Sequence, residues 1–199
     1  MSKYKNITIS GLTGVGASTL AKNLAKKLSW QYYSGGDFMR KYAIEQGLFD
    51  KNNKVHHDAT IYSDEFDRQV DYQARKMLEK STGNVVDAWL AGFMSQGIEG
   101  VLKVMVYCSD DAVRIDRIVN RDRIRINEAK THVFEREAKN LNKWSRMYKK
   151  EWQEWVLSNY PELAKREIYF WYPEMYDLVL DTYKLGPEET LQAVLDRLN

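Results

Sequence analysis

A chain of 199 residues with 30 basic and 28 acidic side chains carries a net charge of +2, too balanced for bulk electrostatics to suggest a nucleic-acid or membrane-surface binder, and long enough for one domain with a sizeable core. Its single cysteine, Cys108, excludes an intramolecular disulfide, ends an apolar run as a buried structural thiol would, and suits a reducing cytoplasm. No apolar run approaches a membrane span and Met1 to Lys5 is too short and polar for a signal peptide, so a cytoplasmic protein without a membrane partner is expected.

The first element is the β-branched run Ile7-Thr8-Ile9-Ser10, which reads as a buried parallel strand. It leads into Gly11-Leu12-Thr13-Gly14-Val15-Gly16-Ala17-Ser18-Thr19. Gly11, Gly14, Gly16 and Ser18 fit the spacing G-x-x-x-x-G-K-[ST], in which glycines let backbone N–H groups converge on phosphate oxygens at a helix N-terminus. Ala17 stands where that pattern has its lysine. A glycine-rich turn can also be tight packing alone, but a helix follows: Leu20, Leu24 and Leu28 recur with Ala21 and Ala25, opposite Lys22, Asn23, Lys26 and Lys27. Strand, glycine turn and helix in that order favour a phosphate cradle.

Trp30 to Tyr33 is the next strand candidate. Ser34-Gly35-Gly36-Asp37-Phe38-Met39-Arg40 reads as a turn and a helix start, with Asp37 as the cap of a helix to Gly47 and Arg40 three residues on. Read alone, Arg40 is a surface arginine. Residues 51–63 are polar and turn-rich, and the adjacent His56 and His57 lack ligand partners at metal spacing, so solvated histidines are expected. Phe66, Val70, Ala74 and Met77 give residues 64–80 an apolar helix face. Asp67, Arg68, Asp71 and Arg75 lie off it, either as surface charges with an Asp71–Arg75 ion pair or as a polar wall toward a small substrate.

Val85-Val86 begins a third strand that ends at Asp87. Open α/β sheets bind ligands outside the carboxyl ends of their strands, so an acidic residue there, near a phosphate loop, is a candidate to hold Mg²⁺ directly or through water. Leu102 to Tyr107 is a fourth strand. Ser109-Asp110-Asp111 caps a helix with Ile115, Ile118 and Val119 inward and Arg114, Arg117 and Arg121 on another face, followed by Arg123, Arg125 and Arg136. These arginines are either a solvated face or a clamp over phosphates. Leu141, Trp144, Tyr148, Trp152 and Trp155 form a helical aromatic stripe, read as core or helix contact in preference to a stacking platform. After the break at Asn159-Tyr160-Pro161 come the aromatic cluster 169–172, a fifth strand Leu178–Asp181, and a last helix opened by Gly186-Pro187 with Leu191, Val194, Leu195 and Leu198 inward. Strands alternating with helices predict a mainly parallel sheet covered on both faces.

In order and spacing, these segments resemble the P-loop nucleoside monophosphate kinases, most closely the cytidylate kinase-like branch common in archaea, over nearly the whole chain. Besides the loop, Gly36-Asp37-Phe38-Met39-Arg40 is similar to a segment whose arginine contacts the monophosphate, and Asp87 with Leu90-Ala91-Gly92 to the strand-end segment. Arg117-Ile118, Arg121 and Arg136-Glu137 look like the lid pattern, and residues 176–182 like the last strand, after which the chain wraps the adenine. The resemblance implies a three-layer α/β P-loop NTPase fold with a five-stranded, mainly parallel sheet in a single domain, 1–199. Within it lie a monophosphate-binding segment (38–80), a lid region (114–145) and an aromatic-rich insertion (149–174) that either covers the site or forms an oligomer contact.

The implied activity is transfer of the ATP γ-phosphoryl group to a (deoxy)cytidine monophosphate-like acceptor, with ATP and Mg²⁺ required and no nucleic-acid partner. Gly11, Thr13, Gly14, Val15, Gly16, Ala17, Ser18 and Thr19 would cradle ATP; Ser18 and Asp87 would hold the metal; Asp37 and Arg40 would take the acceptor phosphate; Asp67, Arg68 and Asp71 would read the base. Arg117, Arg121 and Arg136 would close over the transferring group alongside Asp87. Three departures fall on the basic residues: Ala17 for the loop lysine, Trp89 for a phosphate-binding arginine, and Lys143-Trp144 for Arg-Tyr. A lid arginine, or less readily Lys22, is the expected replacement for the lysine. The departures keep two other readings open, a nucleotide-binding protein that no longer catalyses and acts through a protein partner, and a kinase for a non-nucleotide small molecule.

Overall fold

The computed structural model describes residues 3–45, 47 and 61–198; His56 and His57 lie outside the described residues. In chain order the elements are β1 (Asn6–Gly11), α1 (Ala17–Leu28), β2 (Gln31–Ser34), α2 (Gly35–Glu45), α3 (Asp64–Lys80), β3 (Asn84–Asp87) and α4 (Ala91–Met94). There follow β4 (Val101–Tyr107), α5 (Asp111–Asp122), α6 (Ile126–Lys130), α7 (Arg136–Met147), α8 (Lys149–Glu151), β5 (Leu178–Asp181) and α9 (Pro187–Leu198). Wider turns at Thr131–Glu135 and Trp152–Leu157 carry α6 into α7 and α8 onward.

The sheet has the order β2-β3-β1-β4-β5, and every pairing is parallel. From β1 the chain crosses toward β2 and β3 on one side and β4 and β5 on the other, so a crevice opens beyond the end of β1, where Gly11 begins the loop. The period-two alternation of strand side chains divides the core. Ile7, Ile9, Val85, Leu102, Val104, Val106 and Leu180 face Leu20, Ala21 and Leu24 of α1 and Val194 and Leu198 of α9. On the other face Val86 packs with Ala74 and Leu78 of α3, and Met105 with an aromatic cluster around Phe93, Tyr148, Trp152 and Phe170.

The aromatic stripe is core: Trp144, Tyr148 and Trp152 are buried, and Phe93 lies 4.7 Å from the Phe170 ring and 5.6 Å from Tyr148. Two local expectations change. The glycines at 35 and 36 are inside the first turn of α2, and the cap is Ser34, whose hydroxyl accepts from the Asp37 N–H at 3.1 Å. A Cβ on Gly35 would stand 3.1 Å from that of Ala88, so glycine lets the helix start lean on the end of β3. On α3 the buried stripe is Asp67, Val70, Ala74 and Leu78, rotated from the apolar one because Asp67 turns inward to a lysine of α7. Among the described residues, no helix is long and apolar enough to cross a membrane.

Candidate active site

The phosphate loop is built by what its glycines permit. A Cβ on Gly11 would fall 2.8 Å from the Val106 carbonyl and 2.7 Å from the Val15 side chain, so only glycine lets the strand turn so tightly against β4. Gly14 and Gly16 have φ of 80° and 89°, the left-handed region glycine enters without strain. Gly16 leaves the α1 N-terminus without a side-chain cap, which keeps its first-turn N–H groups for an anion.

Donors from outside hold the loop's carbonyls. Arg114 gives Nε and Nη2 to the Thr13 carbonyl, both at 3.1 Å, Thr182 Oγ1 donates to the Val15 carbonyl at 2.8 Å, and Arg117 reaches Gly14 O at 3.4 Å. With its C=O groups turned outward to these partners, the loop presents N–H groups to the interior. The Val15 side chain is buried beneath the loop, so this residue contributes backbone only.

The loop lines a cavity of about 610 Å³ together with Lys22, Asp37, Arg40, Asp87, Trp89, Arg117, Arg121, Arg136 and Thr182. A smaller cavity of about 110 Å³ lies beside it, walled by Met39, Tyr62, Asp67, Val70, Asp71, Asn140 and Trp144. Gly36, Arg40, Ala88, Trp89 and Arg136 border both. The Arg136 guanidinium stacks 4.8 Å from the Trp89 ring, with Nη1 3.4 Å from Thr13 Oγ1.

Asp87 ends β3 in the crevice, buried, with Tyr32 donating to its Oδ2 at 2.9 Å. Burial pushes its carboxyl pKa up, opposed by hydrogen bonds from Ser18 and Tyr32. Among the described residues no cluster of three or more His, Cys, Asp or Glu could enclose a metal. Mg²⁺ bound with a nucleotide needs only one or two protein oxygens beside phosphates and water, and the Asp87 carboxylate next to the Ser18 hydroxyl fits that demand.

Asp67 and Asp71 reach the small cavity from α3. Asp67 is 3% exposed and pairs with Lys143 of α7 at 2.7 Å; Lys143 also donates to the Tyr62 carbonyl at 2.8 Å. Asp71 accepts from the Tyr148 hydroxyl at 2.6 Å, and burial pushes its pKa up to about 7. The expected Asp71–Arg75 ion pair is absent: Arg75 serves the Met94 and Gln96 carbonyls at the end of α4 and pairs with Glu79.

Arg68, expected to help read a base, borders neither cavity. Its guanidinium is held by Glu151 and the Met147 carbonyl, so it ties α3 to the aromatic segment. Arg40 pairs with Asp37 at 2.9 Å, and Arg121 with Asp122 at 2.7 Å, both on the cavity rim. Sequence reasoning missed Arg114, Glu137 and Tyr32. Arg114 sits in the same arginine spacing as Arg117 and Arg121, but nothing in that spacing marks it as the buried one.

The family described as cytidylate kinase-like matches the chain over residues 6–184. The cytidylate kinase of Haloarcula marismortui is 31% identical over 191 residues, covering 95% of this chain and 86% of the relative. That of Pyrococcus abyssi is 30% identical over 204 residues, covering 96% and 94%. Among solved structures, an uncharacterized protein from Eubacterium ventriosum superposes with a TM-score of 0.59 at 14% identity, covering 98% of both chains. A shikimate kinase from Bacteroides thetaiotaomicron does so with a TM-score of 0.53 at 13% identity, again covering 98% of both. At such identities these structures establish a shared fold and nothing finer.

Proposed function

The chain belongs to the cytidylate kinase-like family, and from that premise we propose that it moves the γ-phosphoryl group of ATP to CMP or dCMP. It is a phosphotransferase, converting ATP and a nucleoside monophosphate to ADP and the diphosphate. The observation that carries the choice of site is the wall shared by two cavities: Arg40, Trp89 and Arg136 face the phosphate loop on one side and the Asp67–Asp71 cavity on the other. A phosphoryl group crossing from donor to acceptor would pass at that wall.

In this reading the acceptor phosphate oxygen attacks the γ-phosphorus, the bond to the β,γ-bridging oxygen breaks, and ADP leaves with that electron pair. The loop N–H groups hold the donor, Arg40 holds the acceptor phosphate, and Arg136 meets the charge spread over the transferring oxygens. Mg²⁺, held by Asp87 and Ser18, would offset the negative charge of the β- and γ-oxygens. Arg117 acts on the loop: its fork is bound to Thr182 and Gly14 O, which sets the cradle's shape. The small cavity suits a cytosine edge, whose exocyclic amine donates to carboxylates; uracil would present an oxygen to the same acceptors.

The test is ADP formation from ATP and Mg²⁺ across ribo- and deoxyribonucleoside monophosphates, with Asp87→Asn prepared identically to expose contaminating kinases. Turnover with CMP or dCMP above UMP, lowered about 100-fold in the variant, is expected. Silence across the panel from protein that binds ATP would overturn the reading.

A further inference from the structure

The loop has lost its own lysine, yet one buried network ties it to the helix that carries Arg136. Arg114, on α5 and 7% exposed, holds the Thr13 carbonyl through two 3.1 Å hydrogen bonds. The same guanidinium pairs with Glu137, the first-turn neighbour of Arg136 on α7, and with Asp111 at 2.9 Å. The Thr13 N–H in turn helps hold the Glu137 charge. A single Arg–Glu pair spanning α5 and α7 is therefore anchored on the carbonyl of one loop residue. The loop also leans on α5 directly: a Cβ on Gly14 would meet the Arg114 carbonyl at 2.8 Å.

We infer that Arg114 and Glu137 are positioning residues: they dock the start of α7 on Thr13 and so fix Arg136 over the loop, where its charge replaces the one missing at Ala17. This rests on the phosphotransfer reading above. Other cations at the large cavity are poorly placed to replace it, since Arg117 is bound to Thr182, Arg121 pairs with Asp122, Lys22 lies over the Tyr32 ring at 5.7 Å, and Arg40 pairs with Asp37. Arg136 contacts a loop side chain and borders the smaller cavity as well. An ångström of drift in α7 would carry its guanidinium away from the transferring group, and misplacement on that scale lowers rates severalfold or more.

Glu137 is costly to keep. Burial raises its pKa to about 7, against the pull of Arg114 and the Thr13 N–H, with Asp111 on α5 pushing the same way as burial and Tyr169 of the aromatic segment facing it. A glutamine would fill the same space but leave the buried Arg114 guanidinium without its carboxylate partner.

The experiment compares wild type, Glu137→Gln, Arg136→Met and the double variant in turnover with the preferred monophosphate, in ATP affinity by calorimetry, and in thermal unfolding. Glu137→Gln should lower kcat about tenfold with acceptor KM within about twofold, and should add less than about twofold in the Arg136→Met background. The ratio of wild-type to Glu137→Gln rates should shrink as pH falls from about 8 to about 6 and Glu137 protonates. A multiplicative double variant, or Glu137→Gln kinetics equal to wild type, overturns the inference. Should Glu137→Gln fail to fold, Arg114→Lys, which cannot span Thr13 and Glu137 together, takes its place. Absence of turnover in the wild type would fail the phosphotransfer reading alone. ATP affinity would then decide the brace: Glu137→Gln weakens ATP binding only where Arg136 is present, and equal weakening without Arg136 refutes it.

Discussion

Replacing Lys143 by methionine would break the most completely buried ion pair among the described residues, whose Asp67 lines the smaller cavity. The Lys143 side chain is 6% exposed and that of Asp67 3%, with 2.7 Å between them. Burial already pushes the Asp67 pKa upward, and Lys143 is the chief group opposing that push. Methionine matches the volume of the lysine stem, so the loss is electrostatic: an uncompensated buried carboxylate, which costs about 3–5 kcal/mol. Asp67 can escape part of this by taking up a proton. Starting from an ordinary carboxyl, that escape costs about 4 kcal/mol at pH 7, and less here because the pKa is already raised. The expected loss is thus about 3 kcal/mol, or about 6–12 °C in Tm for a chain of this size. The sign with pH follows. A carboxyl whose folded pKa lies above its unfolded one costs stability increasingly as pH rises from the unfolded value to the folded one, so Lys143→Met should recover as pH is lowered. Urea unfolding at about pH 8 and about pH 5.5 reads both effects. Adding Asp67→Leu should restore most of the stability, since an apolar pair can replace a buried ionic one. A loss under about 1 kcal/mol, or a double variant as unstable as the single, would refute the reasoning.

Asp71, raised to about 7 by burial, binds a proton in the native state that the unfolded chain has already released above its ordinary value of 3.8. Its contribution to stability therefore falls by about 1.4 kcal/mol per pH unit across that window. Asp71→Asn, which can still accept from Tyr148, should gain on the wild type between about pH 5 and pH 7 in unfolding titrations; parallel curves would contradict it. Gly92→Ala would set a Cβ 2.2 Å from Cε1 of Tyr176, a buried ring tethered through its hydroxyl to the Phe170 carbonyl at 2.7 Å. Overpacking of that kind costs about 1–3 kcal/mol, and calorimetry showing an unchanged Tm would remove the close approach as the reason for glycine there.

The sheet was legible because buried parallel strands announce themselves by short β-branched runs, and the loop because three glycines at fixed spacing follow one of them. Asp87 was legible by position, as the acidic end of such a strand. What escaped reading was charge that points inward. Periodicity counts Asp67 as polar and so as outward, yet it is buried by a lysine 76 positions away. Arg114, Arg117 and Arg121 share one spacing and have three fates: a buried brace, a tether to Thr182 and a rim pair with Asp122. Arg68 and Arg75 were diverted by partners no local window contains, Glu151 and the carbonyls closing α4.

The departures from the resembling family read as separate losses in sequence and as one construction in space. Trp89 stands where an arginine was expected, and its ring is the perch for Arg136. Trp144, in place of a tyrosine, packs edge-on against Trp89 at 5.6 Å; Trp171 does so at 6.3 Å and donates its indole N–H to the Trp89 carbonyl at 2.9 Å. Trp171 belongs to the aromatic segment, whose remaining rings close around Phe93 beneath the sheet. Lys143, next to Trp144, turns inward and pairs with Asp67. An arginine at position 89 would set a like charge beside Arg136, repelling the guanidinium that tryptophan attracts. In the proposed reading Arg136, perched on Trp89 and in contact with Thr13, brings positive charge to a loop that has alanine at position 17, and Trp171 of the aromatic segment packs behind the Trp89 ring.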